Sequence, residues 1–189
     1  METLLKYEFA VLDFIQSDIT GPVLDKIMVV FTYMGSGGFI WILAALMLLS
    51  FPKTRKTGIV VAVSLLGCLL IGNIIIKPLV GRIRPCDINT AVELLIKRPL
   101  DASFPSGHTM SSFAAATCIM FYSLKYGIPA MALAVTISFS RLYLYVHYPT
   151  DILAGAVIGI LIAVISKKAV DAWMSRKNGM VIDRYVRKI

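Results

Sequence analysis

Charged residues are scarce in this sequence: they account for 16% of it, whereas a soluble domain carries about a quarter. The few charges are grouped, and long apolar runs separate the groups, which gives a mean hydropathy of +0.79. An ordinary soluble protein is therefore excluded. The composition predicts an integral membrane protein, and residues 1–189 are expected to form a single domain.

Cysteine is also rare, and no cleavable signal peptide is expected. The three cysteines give no disulfide framework, and Cys68 and Cys118 lie inside apolar runs, where they are expected to be packing residues. The N-terminus is acidic and mixed, not basic and then apolar as a secretory signal would be. A net charge of +8 would by itself suit a nucleic-acid partner, but its distribution along the chain argues against one.

Five apolar stretches approach the length of about 20 residues that a membrane-crossing helix needs. They cover residues 37–51, 58–77, 106–125, 127–147 and 150–168. The first is short and can draw turns from the segment before it. The connections are tight except for one long loop, residues 78–105. We predict an all-α fold, a polytopic transmembrane bundle of five to six spans with its core in residues 37–168.

Residues 1–35 have a different pattern. The first helix carries three polar residues on one face: Lys6, Asp13 and Ser17. Glu8 interrupts this pattern. We predict an amphipathic helix lying in the membrane interface. After Gly21 and Pro22, a second helix of about 13 residues is too short to cross. In the alternative, this second helix forms part of a true first crossing, which gives six spans.

The positive charges predict the orientation, because cytoplasmic loops are enriched in lysine and arginine. If residues 51–57 are cytoplasmic, eleven of the 19 basic residues lie on that side: Lys53, Arg55, Lys56, Lys125, Lys167, Lys168, Arg176, Lys177, Arg184, Arg187 and Lys188. This bias places the long loop outside the cytoplasm. The basic tail, residues 169–189, is then a cytoplasmic anchor of a protein in the cell membrane.

With this topology, four helix ends meet at the outer face. Three cations lie there, Lys77, Arg84 and Arg141, near the start of the helix that follows Ser106. Free amides at a helix N-terminus and the arginine fork both suit phosphate oxygens, and Gly107 allows close backbone approach. Simpler roles stay open: Lys77 as a snorkelling lysine and Ser106 as an N-cap. Arg141, inside an apolar helix, indicates function.

Both histidines of the chain fall at the same face. Asp151 follows His147 by four residues and can bond one ring nitrogen, either in a helix or across the intervening turn. That bond fixes the tautomer and raises the basicity of the other nitrogen. His108 can serve as a proton donor. A nucleophile with its orienting acid, a second imidazole and an oxyanion cradle together indicate phosphoryl transfer.

Three segments carry a family resemblance: KPLVGRIRP, PSGH and SRLYLYVHYPTD. In order and spacing they resemble the signature of the type 2 phosphatidic acid phosphatase (PAP2) family, which is Lys-x6-Arg-Pro, Pro-Ser-Gly-His and Ser-Arg-x5-His-x3-Asp. The matching part is residues 77–151. Only the N-terminal part differs from the family pattern, since many bacterial members have a true first transmembrane helix before the interfacial segment. That departure leaves the number of spans open.

The resemblance implies hydrolysis of a lipid phosphate without a metal or other cofactor. His147 would attack phosphorus to form a phosphohistidine while Asp151 holds it, and His108 would protonate the leaving oxygen and then activate water. The residues implied to hold the phosphoryl oxygens are Lys77, Arg84, Ser106, Gly107 and Arg141. Family substrates include undecaprenyl diphosphate, phosphatidylglycerophosphate and phosphatidic acid. An outward site favours the first, and no residue outside the motifs selects among them.

Two other functions compete with this one. A transporter or channel would have its intramembrane charges distributed through the bilayer, whereas here all of them except Arg141 lie at one face. Asn73 is the main polar residue inside the otherwise apolar helices. Vanadium haloperoxidases resemble the family in their anion-binding residues. Those enzymes are soluble, and Asp151 beside His147 favours a phosphatase.

Overall fold

The computed structural model describes residues 2–186, and the side chains of residues 3–176. All regular elements in this part of the chain are helical. In chain order the α-helices are α1 Glu2–Phe14, α2 Pro22–Gly35, α3 Phe39–Ser50, α4 Arg55–Gly67, α5 Lys77–Val80, α6 Pro85–Ile88, α7 Gly107–Met120, α8 Leu124–Tyr143 and α9 Pro149–Val186. Within the predicted basic tail, residues 187–189 and the side chains beyond residue 176 lie outside the described part.

Three stretches of the described chain are long and apolar enough to cross a membrane: Pro22–Ser50, Arg55–Ile88 and Pro149–Arg176. α7 lies among α4, α8 and α9 and buries most of its side chains. A run of alanines, Ala114 to Ala116, lets the neighbouring helices approach it closely. The number of crossings stays a prediction.

α2 and α3 follow each other directly, joined by the 3₁₀ turn Ser36–Gly38. Between them, Gly37 and Gly38 have φ of +59° and +73°, a conformation that glycine adopts without steric cost. The chain therefore kinks sharply between the two helices, and α2 packs against α8. α2 ends at Gly35, where the sequence predicts the end of this helix, and the glycine run turns the chain directly into α3.

α1 packs across the end of the bundle where α8 finishes and α9 begins. Its buried face carries Leu12, Ile15 follows it in a short π-helix, Ile15–Ile19, and Phe9 meets the ring of Tyr148 edge-on at 5.6 Å. The opposite face exposes apolar side chains: Leu4, Tyr7, Val11 and Phe14. Glu8 points inward and is only 3% exposed. Apolar residues on the outward face suit a position at the membrane interface, which stays a prediction.

The helix ends that carry the three motifs meet at this end of the bundle. α4 continues as a π-helix, Cys68–Ile76, which leads directly into Lys77. The starts of α7 and α9 are adjacent, since the amide of Ser106 donates to the carbonyl of Asp151 at 3.2 Å. Between α8 and α9 the chain turns through buried Tyr145, whose φ is +57°. The fold therefore collects residues separated by up to 74 positions, such as Lys77 and Asp151.

Candidate active site

A cavity of about 810 Å³ opens between these helix ends, a size typical of ligand sites. Its lining includes both histidines and the three predicted cations: Lys77, Arg84, His108, Arg141 and His147. Arg84 is 2% exposed and Arg141 is 4% exposed. Burying several cations together is costly unless negative charge accompanies them. Of the residues that the structure describes, Asp101 is the one carboxylate that lines the cavity, and it does not balance three cations, so the arrangement indicates an anionic ligand.

The two ring nitrogens of His147 have different surroundings. Nδ1 lies 3.4 Å from Oδ2 of Asp151 and 3.4 Å from Oγ of Ser103. The Ser103 hydroxyl donates to the same carboxylate at 2.5 Å, so it joins the two groups. Nε2 lies 3.1 Å from Nη1 of Arg84, which lines the cavity. The carboxylate side fixes Nδ1 as the protonated nitrogen and leaves the lone pair on Nε2.

Asp151 reaches His147 across the turn between α8 and α9. His147 precedes α9, and Asp151 lies in the first turn of that helix. Of the two arrangements that the sequence allows, the structure therefore has the one across the turn. The amide of Tyr148 also donates to Oδ2 of Asp151, at 2.9 Å, which holds the carboxylate beneath the imidazole.

Asp101 pairs with two of the cavity cations. Lys77 donates to its Oδ2, and Arg84 donates from Nη2 to its Oδ1 at 2.8 Å. Burial works to raise the pKa of Asp101, but the hydrogen bond and charge of Lys77, with the charge of Arg84, outweigh it and lower the pKa to about 2. Two carboxylate oxygens thus engage the cations as phosphate oxygens can.

α2 contacts both His108 and Arg141. Nε2 of His108 lies 3.2 Å from the carbonyl oxygen of Thr32 and 3.3 Å from Oγ of Ser36. The hydroxyl of Thr32 accepts from Nη1 of Arg141. Nε of Arg141 is buried and has no hydrogen-bond partner among the described residues. An unused buried donor on a residue that lines the cavity suits a ligand oxygen.

Ser106 and Gly107 take different positions. Ser106 is fully buried, does not line the cavity, and accepts at Oγ from the amide of Thr109 at 3.4 Å, as an N-cap does. Gly107 does line the cavity. A Cβ at Gly107 would stand 3.0 Å from Oδ1 of Asn73, which also lines the cavity. Glycine therefore lets the start of α7 approach Asn73.

The sequence reasoning missed two residues of the cavity lining, Thr32 and Asp101, and further residues behind it. Asp101 and Ser103 immediately precede the PSGH segment, and nothing in their type or spacing singles them out. Thr32 likewise gave no signal. Glu8 gave one, since it interrupts the apolar pattern of α1. Arg82, inside the first motif, contacts Glu8 and Asp151.

Every buried charged side chain in the described part of the chain belongs to this end of the bundle: Glu8, Lys77, Arg84, Arg141 and Asp151. The buried polar side chains deeper in the bundle are uncharged, such as Ser64 and Ser166. An ion pathway would need charges along its length. The distribution disfavours a transporter. Among the described residues, no group of three or more histidine, cysteine, aspartate or glutamate side chains is arranged to hold a metal ion.

Known proteins resemble this chain both in sequence and in three-dimensional structure. An undecaprenyl-diphosphatase of Sulfolobus acidocaldarius is 33% identical over 68% of this chain and 62% of its own length. The undecaprenyl-diphosphatase BcrC of Bacillus subtilis is 34% identical over 74% of this chain and 72% of its own length. The chain thus spans less than two thirds of the first relative. Among solved structures, Aquifex aeolicus LpxE has a TM-score of 0.69 at 28% identity, covering 86% of this chain and 95% of that one.

A second solved structure shows the same fold. It is a transmembrane PAP2 type phosphatidylglycerolphosphate phosphatase from Bacillus subtilis, with a TM-score of 0.74 at 22% identity over 91% of this chain and 88% of that one. These likenesses confirm the predicted all-α transmembrane bundle. The family model of the PAP2 superfamily matches residues 57–175, which include the helix ends that form the cavity. The three motifs, the cavity that they line and this match lead to one conclusion: the chain belongs to the PAP2 superfamily.

Proposed function

We propose that this chain is a membrane lipid-phosphate phosphatase whose reaction passes through a phosphohistidine at His147. The observation that carries the proposal is the placement of His147, with Nδ1 towards Asp151 and Ser103 and Nε2 beside Arg84. An imidazole oriented by a carboxylate on one side and adjacent to an arginine on the other suits in-line attack on a bound phosphate.

The reaction has two halves. First, the lone pair of Nε2 of His147 attacks phosphorus, the bond from phosphorus to the leaving oxygen breaks, and His108 gives that oxygen a proton. Second, His108 takes a proton from water, the resulting hydroxide attacks the phosphohistidine, and inorganic phosphate leaves while His147 recovers its lone pair. Lys77, Arg84 and Arg141 stabilise the negative charge that builds on the phosphoryl oxygens.

One part of the cavity lining is apolar. Ile42 of α3 and Leu65, Leu66 and Leu69 around the end of α4 form it. Leu66 is 54% exposed and Leu69 is 48% exposed, so this part of the lining continues onto the outer surface of the bundle. A phosphate head can therefore reach the cations while an attached hydrocarbon chain stays among apolar side chains. This geometry favours a lipid over a soluble phosphate.

Among lipids, an isoprenoid diphosphate of the undecaprenyl diphosphate type is the proposed substrate. Two relatives similar over most of this chain are named undecaprenyl-diphosphatases. Phosphatidylglycerophosphate is the first comparison substrate, because the Bacillus subtilis structure of the same fold is a phosphatidylglycerolphosphate phosphatase. Phosphatidic acid is the second. A diphosphate also supplies a good leaving group, since the departing lipid phosphate is a stable anion.

Phosphate release from a panel of these lipids, by purified protein in EDTA, tests the proposal. We expect hydrolysis of the isoprenoid diphosphate to be fastest and to survive chelation, because the cations of the site already offset the charge of the phosphate. Vanadate should inhibit by mimicking five-coordinate phosphorus. Absence of lipid phosphate hydrolysis, or activity that needs added zinc or magnesium, would contradict it.

The site is proposed to face away from the cytoplasm. Thr90 in loop 78–105 and Lys53 in the loop between α3 and α4 are both exposed, and the three native cysteines are buried. In intact cells, an impermeant thiol reagent should label Thr90→Cys and should label Lys53→Cys only after permeabilisation. The opposite pattern would reverse the orientation that the positive charges predict.

Replacing Asp101 should strengthen anion binding. The pKa of about 2 keeps this carboxylate ionised at neutral pH, so it competes with phosphate for Lys77 and Arg84. Asp101→Asn removes the competing charge, and we expect vanadate to bind roughly three- to tenfold more tightly, a modest gain because water screens the half-exposed carboxylate. Inhibition measured at several vanadate concentrations gives the affinity. Weaker vanadate binding would mean that Asp101 chiefly holds the two cations in place.

A further inference from the structure

Arg82 contacts Asp151 on the side opposite His147. Its Nη1 donates to Oδ1 of Asp151 at 2.6 Å, while Oδ2 receives Ser103 and the amide of Tyr148. Asp151 is fully buried. The guanidinium also stacks on the ring of Tyr148, with 3.9 Å from Cζ to the ring centroid. Arg82 therefore fixes the plane of the carboxylate on which the orientation of His147 depends.

Glu8 reaches the same group from α1. Its Oε2 accepts from Nη2 of Arg82 at 2.5 Å, and its Oε1 accepts from the hydroxyl of Thr150 and from the amide of Thr150 at 3.3 Å. Glu8 is 3% exposed, and an unpaired carboxylate at that depth would be costly. One guanidinium thus joins two buried carboxylates, Glu8 and Asp151.

This chain of contacts lies outside the ligand cavity. Glu8, Arg82 and Asp151 do not line it, whereas His147 does. Glu8 and Arg82 therefore do not reach a ligand in the cavity directly, and Asp151 is the carboxylate that links them to His147. Glu8 also lies outside residues 57–175, the part of the chain that the family model matches. α1 thus supplies a contact to the site from beyond that segment.

We propose that Glu8 and Arg82 are positioning residues, which hold Asp151 in the orientation that aligns His147 for attack. This inference rests on the proposed function, since it assigns them a part in the same reaction. Arg82 has the larger effect because it touches Asp151 directly. Glu8 acts one contact further away, by holding the second arm of the guanidinium and the first turn of α9.

Substitutions should therefore lower kcat and leave binding unchanged. We expect Arg82→Gln to lower kcat about 100-fold, the loss that a misplacement of about 1 Å causes in a catalytic group. Glu8→Gln should lower kcat about tenfold, as expected of a more remote supporting partner. KM and the inhibition constant of vanadate should change less than twofold in both variants. Glu8→Asp and Arg82→Lys keep the charges and should recover part of the rate.

Asp13→Asn is the matched control for docking of α1. Asp13 lies on the same helix and accepts from the hydroxyl of Tyr145 at 2.5 Å, and the described structure shows no hydrogen bond between it and Asp151. Glu8→Gln and Asp13→Asn each remove one carboxylate charge from α1. Thermal unfolding of the purified variants corrects for any loss of folded protein. A tenfold lower kcat for Glu8→Gln, with an unchanged kcat for Asp13→Asn at comparable stability, supports the proposal.

Measuring phosphohistidine in the wild-type protein distinguishes failure of the positioning role from failure of the proposed function. If the wild type forms phosphohistidine but Glu8→Gln and Arg82→Gln keep its kcat, the positioning role is wrong while the proposed function stands. A rise in KM or in the vanadate inhibition constant, with kcat unchanged, would also overturn the positioning role. If the wild type itself forms no phosphohistidine, the proposed function fails first.

Discussion

Replacing His147 with alanine is expected to abolish turnover, with a loss of about a millionfold, the order expected when a catalytic nucleophile is removed. No other imidazole of the chain takes its place, because His108 contacts α2 at Thr32 and Ser36. Vanadate should still bind, since Lys77, Arg84 and Arg141 remain in the cavity. Phosphate release and vanadate protection against thermal unfolding measure the two properties separately.

Asp151→Asn provides the comparison for this loss. The side chain keeps its shape but loses its charge, so His147 is less well oriented and its rate falls by less than in His147→Ala. When rates are compared at equal amounts of folded protein, His147→Ala should therefore lose more activity than Asp151→Asn. Turnover in His147→Ala above the background of an empty membrane preparation would exclude His147 as the nucleophile.

Replacing His108 with alanine should produce a loss that depends on the leaving group. A general acid contributes roughly 100- to 10,000-fold. We expect a loss in this range for a lipid phosphomonoester, because its alkoxide leaves only with a proton. The loss should be milder for a diphosphate or an aryl phosphate, whose leaving groups are stable anions. The measurement compares kcat for His108→Ala and wild type on alkyl, aryl and diphosphate substrates.

An equal loss on all three substrates would assign His108 a role other than proton donation. Phosphoenzyme should still form in His108→Ala with a good leaving group, and it should persist longer than in wild type. The reason is that the same residue is proposed to activate water in the second half of the reaction.

The motif-bearing helix ends could be predicted from sequence because their chemistry is local. Charged residues inside apolar runs are rare and costly, so Arg141 stands out, and the pair His147 and Asp151 stands out by its spacing. They converge because the end of one membrane-spanning helix and the start of the next lie at the same membrane face. The structure places all of them at one cavity or directly behind it.

The contacts from the first 35 residues could not be predicted in the same way. Glu8 reads as an interruption of an amphipathic face, and only three-dimensional packing shows that it points inward to Arg82. Thr32 contacts His108 and Arg141 through a backbone carbonyl and an ordinary hydroxyl, groups that leave no trace in a residue pattern. The bend at Gly37 and Gly38 likewise depends on backbone angles, which a glycine run permits but does not fix.

The location of the trapped phosphate tests the central claim most directly. Wild-type protein is mixed with a ³²P-labelled isoprenoid diphosphate in EDTA, quenched within the first turnover under alkaline conditions, and digested for mass spectrometry. We predict an acid-labile, base-stable phosphate on the peptide that contains His147, with none on the peptide that contains His108. Label on His108, or lipid hydrolysis without any labelled histidine, would contradict the account.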